Sequence, residues 1–179
     1  MEKLKELLSA KFQPKDILWR VQRSGETNNK IWALVLAYVD ARAIMERLDD
    51  VMGIDCWKDS YRIDANGAIC RLELRINNEW IAKENGAEQT DVEAYKGQLS
   101  KAFVRCAVNW GIGRYLYDLT ESYAFCQEAK PASKDGWHRD KIKDSGKFFY
   151  WQEPSLPSWA LPEIAQKTKV NTTSNTTPF

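Results

Sequence analysis

The first residues carry a helical pattern: Leu4, Leu7 and Leu8 fall on one side of residues 2–10, with lysines and glutamates between them. Pro14 closes that segment, and Ile17-Leu18-Trp19-Arg20-Val21 predicts a short strand. RSGETNNK at 23–30 predicts a loop from its glycine, asparagines and charges. Its polar and basic residues suit either contact with phosphate or plain solvation. A more ordered segment begins at Ile31. Asp40 is placed to cap a helix through Met52, with Gly53 as its stop. Ala41, Ile44, Leu48 and Val51 recur at helical spacing as its buried stripe, with Arg42, Glu46 and Asp49 elsewhere.

From Cys56 the period becomes two. Trp57, Tyr61 and Ile63 predict a strand, and Asp64-Ala65-Asn66-Gly67 a turn. Cys70, Leu72, Leu74 and Ile76 then alternate with Arg71, Glu73 and Arg75. Asn77-Asn78 turns the chain into a shorter segment around Trp80 and Ala82. The pattern is an antiparallel meander with one covered and one wet face. Residues 93–110 return to helical spacing, with Leu99, Phe103, Cys106 and Trp110 on one side. Gln98, Lys101, Arg105 and Asn109 occupy the other. This helix can cover the sheet and still present a polar ridge. Gly111 and Gly113 permit a cap or close turn before Arg114 and Tyr115-Leu116-Tyr117.

Beyond about residue 128 regularity weakens. Residues 130–147 are polar and predicted flexible, and FFYW at 148–151 predicts a docking segment or a final strand. Pro154, Pro157 and Pro162 argue against a long element there, and PSLPSWALP at 154–162 is placed to fold back or to bind a partner. Residues 167–179 have little to bury and are predicted disordered. The expected organisation is an α+β domain over 1–128, an extension over 129–166 and a tail over 167–179.

Charge and composition narrow the chemistry. Lys and Arg total 26 against 25 Asp and Glu, a net charge of +1 that excludes bulk basicity and leaves room for a local patch. Eight Trp, seven Tyr and six Phe serve core, interface or base stacking, and composition does not choose among them. The four cysteines, Cys56, Cys70, Cys106 and Cys126, form no CxxC pair, and one histidine cannot complete a Cys2His2 set. No metal or other cofactor is expected. No secretory leader or membrane-spanning apolar run is visible, so a cytoplasmic, DNA-associated location in a bacterial or phage-infected cell is expected. Asp49-Asp50 lacks supporting metal ligands, His138 lies in a loop-like basic stretch, and Gly111-Ile112-Gly113-Arg114 lacks the rest of a phosphate-binding fingerprint. No catalytic constellation emerges.

Charge placement is the positive clue. Between residues 96 and 114 stand Lys96, Lys101, Arg105 and Arg114 and no acidic residue, with Trp110 inside the interval. Lys101 and Arg105 are one helical turn apart and can face one phosphate backbone, while Arg105 equally suits an ion pair or a subunit contact.

The segment SKAFVRCAVNWGIGRYLY at 100–117 resembles the signature helix and exit of the Rad52-like single-strand annealing proteins, in particular the bacterial and phage branch that includes DdrA-like damage-response proteins. Leu36-Ala37-Tyr38-Val39-Asp40-Ala41-Arg42, followed by Leu48 and Trp57, is similar to the family's early helix. Glu84-Asn85-Gly86-Ala87-Glu88, followed by Tyr95-Lys96, is similar to its sheet-to-helix passage. These anchors lie in order across roughly residues 17–119.

The resemblance implies an antiparallel sheet packed on helices, ring-like or related homo-oligomers, and ATP-independent binding and annealing of single-stranded DNA in recombination or repair. It implies a backbone contact at Arg20 and a basic helix position at Arg105. The usual lysine partner is Val104 here, another basic position falls at Val108, and Lys101 stands where many relatives have Asp, so positive charge has moved by about one turn. Trp110 shares a helix face with Leu99 and Phe103 and is expected in the core. The expected DNA-binding residues are Arg20, Lys96, Lys101, Arg105 and Arg114, and the expected protein partners are a recombinase or a single-strand-binding protein. The alternative is a structural or mediator module, motivated by Val104 and Val108, that binds a partner protein with weak or no annealing.

Overall fold

The computed structural model describes residues 2–65, 67–88, 94–119 and 122–163, with the side chains of residues 64 and 94–96 outside that description. In chain order the elements are α1 (Glu2–Ser9), β1 (Ile17–Thr27), β2 (Lys30–Val39), α2 (Ala41–Met52), β3 (Trp57–Asp64), β4 (Gly67–Ile76), β5 (Glu79–Glu88), α3 (Ala94–Asn109), β6 (Ser122–Gln127), β7 (Trp137–Lys141) and β8 (Phe148–Gln152). They form two units, one from residues 1–16 and 39–115 and one from 17–38 and 116–179. Each is α+β or β in character, with antiparallel sheet pairings and helices packed on a sheet in the first.

In the first unit α1 buries Leu8 and leaves Leu7 exposed, because a helix of eight residues offers only a narrow stripe. Arg47 of α2 closes its C-terminal end: Nη1 donates to the Ala10 carbonyl at 2.8 Å, and the guanidinium lies 4.3 Å from the Phe12 ring. The Phe12 N–H donates to the Tyr115 hydroxyl at 3.0 Å.

The caps of α2 match the sequence. Asp40 Oδ1 accepts from the Ala43 N–H at 3.0 Å, and Gly53, at φ 87°, donates to the Asp49 carbonyl at 2.9 Å. Ile44 and Leu48 are fully buried, while Ala41 and Val51 are half-buried.

The three-stranded sheet β3-β4-β5 is an antiparallel meander. Its registers run from Trp57↔Leu74 to Asp64↔Gly67 and from Ile76↔Glu79 to Gly67↔Glu88. Asn77 and Asn78 have φ of 52° and 66°, the left-handed pair that a two-residue hairpin requires. β5 has ten residues, as many as β4, which corrects the shorter segment expected there. Its polar composition hides its length, because β5 is an edge strand.

Cys70, Leu72 and Leu74 point to one face and meet α3, whose Ala102, Phe103, Cys106 and Ala107 are fully buried. Ala102 and Ala107 widen the buried stripe, and Gln98, one turn before Ala102, falls within it. Gln98 is therefore buried and does not belong to the polar ridge. Cys70 and Cys106 are hydrogen-bonded neighbours across this interface. That bond and burial push the Cys70 thiol well above its ordinary value.

The second unit holds a five-stranded sheet in the order β1-β2-β6-β8-β7. Antiparallel pairings include Ala33↔Ala124, Phe125↔Gln152 and Trp137↔Gln152. Ala33, Val35, Ile142, Phe149 and Trp151 form its core, with Trp19, Val21, Ala124 and Cys126 packed against them.

Several expectations change here. Residues 23–27 belong to β1, so the predicted loop shrinks to Asn28-Asn29, at φ 52° and 58°. Pairing with β2 overrides their local polarity, and Gly25 is needed where a Cβ would lie 2.7 Å from Cζ2 of Trp32. Residues 36–39, read by resemblance as helix, complete β2, and the helix begins at Ala41. The polar stretch at 130–147 contains β7, so His138 lies in a strand, its Nε2 2.7 Å from Glu153 Oε1 and its ring stacked 4.4 Å from Trp151. FFYW forms β8, between β6 and β7. Residues 158–160 make a 3-10 turn that buries Ala160, with Leu161 buried beside it. The disorder expected for 167–179 lies outside the described residues.

Candidate nucleic-acid interface

The exposed side of α3 presents Lys101 and Arg105, one turn apart. Lys101 makes no hydrogen bond or ion pair among the described residues, and its ammonium is open to solvent. Arg105 is exposed too, yet it is anchored: Nη1 donates to the Gly86 carbonyl on β5 at 3.1 Å. Asn85 Nδ2 donates to the Arg105 carbonyl, also at 3.1 Å. Further along, Asn109 Nδ2 donates to the Glu84 carbonyl at 3.0 Å. The helix thus covers polar groups along the edge strand, which would otherwise invite pairing with another strand. The same bonds fix the direction in which Arg105 projects.

Lys83 and Asn85 support this ridge from β5, a role that the spacing of residues did not reveal. Lys83 Nζ donates to the Asn109 carbonyl at 2.7 Å and lies 4.3 Å over the Trp110 ring. Its positive charge sits at the C-terminal end of α3, where the helix dipole favours it. Trp110 is half-buried, and its Nε1 donates to the Leu72 carbonyl at 3.3 Å, which places it with the packing rather than on the ridge. The only available signal was alternation: Ile81, Lys83, Asn85 and Ala87 share the helix-facing side of β5, and two polar residues there imply a polar partner.

The other expected positions take different places. Lys96 lies in the first turn of α3, with its side chain outside the description. Arg114 turns back onto its own helix: Nε and Nη2 donate to the Val108 carbonyl at 2.9 and 2.7 Å, and Nη2 to the Asn109 carbonyl at 2.9 Å. It is thereby a C-terminal cap for α3. Val104 and Val108 are half-buried beside the ridge.

Arg20 is exposed on β1 in the second unit, where it lines a cleft of about 800 Å³ together with Arg23, Trp32, Lys141 and Lys143. Glu26, Asp140 and Asp144 line the same cleft and offset part of its positive field. On the meander's wet face Arg71 is engaged by Glu73 at 3.3 Å and Glu84 at 3.1 Å. Those carboxylates leave Lys101 and Arg105 as the stronger sources of positive field near α3.

No group of three or more His, Cys, Asp or Glu side chains comes together to hold a metal ion among the described residues. No described helix is long and apolar enough to cross a membrane.

Comparison with known proteins agrees with this architecture. A family model described as Rad52/22 family double-strand break repair protein matches residues 1–137. The single-stranded DNA-binding protein DdrA of Deinococcus radiodurans is 31% identical over 158 residues, covering 87% of this chain and 66% of that protein. The DdrA of Deinococcus deserti is 30% identical over 158 residues, covering 87% of this chain and 69% of its own length. The chain therefore spans about two thirds of the length of these relatives. No solved structure matches it. A match over residues 1–137, most of the chain, establishes that the chain belongs to the Rad52/22 family of double-strand break repair proteins.

Proposed function

We propose that the protein binds single-stranded DNA and anneals complementary strands without a nucleotide cofactor, acting in recombination or repair as a homo-oligomer larger than a dimer. The observation that carries this reading is the pair Lys101 and Arg105, exposed one turn apart on a helix held along the edge of β5. Two cations at that spacing can engage successive phosphates, and the anchoring of Arg105 limits the entropy lost on binding. The names of the two DdrA relatives agree with the ligand.

Lys96 and Arg20 extend the proposed contact set. Arg114 contributes least, because its donors already serve the carbonyls of α3. Repeated subunits would add several modest phosphate contacts along one strand. A recombinase or a single-strand-binding protein is the proposed protein partner, supported by the family resemblance. The step itself is noncovalent: the protein concentrates and aligns strands, and base pairing stabilises the product.

The test is to mix labelled complementary strands with the protein, without nucleoside triphosphate, over a range of salt concentrations. Accelerated duplex formation is expected, strongest at low salt. No acceleration at any salt would overturn annealing, and partner binding without single-strand binding would favour a mediator module. Light scattering at several concentrations should show an assembly larger than a dimer.

A further inference from the structure

The five-stranded sheet has two unlike faces. One holds the core of Ala33, Val35, Phe149 and Trp151. The registers define the other. Because Ala33↔Ala124 faces the core, the adjacent pair Leu34↔Tyr123 faces away from it; Leu34 on β2 is buried there, and the open part of the face begins at Tyr123 on β6. Phe125 and Trp137 both stand opposite Gln152, and Lys141 stands opposite Phe148, all on that same outer face.

This face is rich in exposed rings. Tyr123 is 71% exposed, Phe125 64% and Phe148 51%. Trp137 meets Phe125 edge-on at 5.8 Å, and Trp32 meets Tyr123 edge-on at 6.4 Å. Ordinary surfaces carry scattered apolar residues, whereas a contiguous set of rings marks a binding surface.

Charge decides what kind. The outward positions of β6, β7 and β8 are Tyr123, Phe125, Gln127, Trp137, Arg139, Lys141, Phe148, Tyr150 and Gln152, which include two cations and no carboxylate. The Arg139 guanidinium lies 3.9 Å from the Phe148 ring, and Lys141 Nζ lies 5.7 Å from it. A second copy laid face to face would set these cations against like charges with no acid on the face to answer them. A polyanion with aromatic bases matches both features.

We propose that this face binds single-stranded nucleic acid, its bases stacking on Tyr123 and Phe125 and its phosphates meeting Arg139 and Lys141. Alternate residues on a strand stand about 6.6 Å apart, roughly twice the ~3.4 Å rise per nucleotide, so the rings receive bases that have been spread apart. Aromatic faces stack on any base, so the surface takes strands of any sequence. The ligand class is that of the proposed function, on which this inference rests, but the surface and the contact chemistry differ from those of the α3 ridge.

The experiment measures fluorescence anisotropy with an oligothymidine and with an abasic oligomer of equal length, using the full chain. The variants are the double substitution Tyr123→Ser, Phe125→Ser, the double substitution Arg139→Gln, Lys141→Gln, and Lys101→Gln, Arg105→Gln for comparison. Circular dichroism checks the fold, which exposed positions should leave intact. The ring variant should bind oligothymidine about tenfold more weakly and the abasic oligomer unchanged. The charge variant should weaken both and lower the salt slope by roughly 1.4, about 0.7 for each phosphate contact.

Ring and charge variants that bind both oligomers like the wild type would overturn this inference. If Lys101→Gln, Arg105→Gln then loses binding, the α3 reading stands alone. If the wild type binds neither oligomer, both readings fall. Loss of assembly in light scattering, with affinity per subunit unchanged, would reassign the face to contact between copies and overturn the proposal.

Discussion

Arg105 donates from Nη1 to the Gly86 carbonyl at 3.1 Å while remaining exposed on the ridge of α3. One side chain therefore has two tasks, tying the helix to the edge of β5 and projecting positive charge. Lys101, one turn earlier, has only the second.

That difference separates their variants. Arg105→Gln should lower the log-affinity against log-salt slope for single strands by roughly 0.7 and destabilise the fold by about 0.5–1 kcal/mol, since one solvent-accessible hydrogen bond is lost. Lys101→Gln should lower the slope similarly and leave stability unchanged. Arg105→Lys should keep most of the slope and still lose some stability, because an ammonium lacks the fixed fork of a guanidinium. Salt-titrated anisotropy and urea unfolding on the three variants check this. An unchanged slope in both Arg105→Gln and Lys101→Gln would remove the ridge from the binding surface.

Lys83→Met tests the support beneath the ridge. The ammonium at the Asn109 carbonyl closes the end of α3 and covers Trp110. Its removal should cost about 1–2 kcal/mol, as for a hydrogen bond from a charged donor near a helix C-terminus. The salt slope should change little, because this charge already has a partner. A slope change as large as that of Lys101→Gln would show that Lys83 reaches the DNA.

The parts of this fold that were legible share one property: a single periodicity stated by side chains that are either clearly apolar or clearly polar. α2 carries both caps and a stripe ending in fully buried Ile44 and Leu48, and β4 alternates without a break. The parts that were not legible depend on partners distant in sequence. Residues 23–27 look like a loop and are held as strand by β2, and β7 emerges from a polar stretch because β8 pairs with it. Gln98 is buried although it is polar, because Ala102, one turn on, extends the buried stripe of α3 to its side. At the candidate site Lys101 and Arg105 were visible from spacing alone. The Arg105–Gly86 bond, the Lys83 cap and the inward turn of Arg114 were not, since each joins a side chain to a backbone carbonyl, and carbonyls carry no sequence signal.

Gly67→Ala should be among the most destabilising single-methyl changes in the chain. Gly67 has φ 152° and pairs with Glu88, and a Cβ there would overlap the Ala87 carbonyl oxygen, which is backbone and cannot swing aside. A loss of about 3 kcal/mol or more, from backbone strain and displaced β5, is expected. Gly97→Ala is the control: nothing lies within 4 Å of a Cβ at that helical position, and alanine favours helix by about 1 kcal/mol. Urea unfolding of the two variants should move in opposite directions, and a mild effect of Gly67→Ala would show that β5 can shift along β4.

The protein should lose stability on the alkaline side. Burial pushes the Cys126 thiol up to about 11 from its ordinary 9.0. Burial likewise raises Tyr61 and Tyr115, Tyr61 being raised further by its hydrogen bond to Asp59. From about pH 9 the unfolded chain releases protons that the native state still holds, so the unfolded state binds fewer protons and stability falls as pH rises. For Cys126 the stabilisation is fully present below pH 9, declines from there, and is lost by the time the folded thiol titrates near 11. Urea midpoints should change little between pH 7.5 and 9 and fall by pH 10.5. Cys126→Ala should flatten the decline between the last two while leaving the α3 ridge, in the other unit, untouched. A midpoint that holds steady up to pH 10.5 would mean that these groups open to water before the chain unfolds.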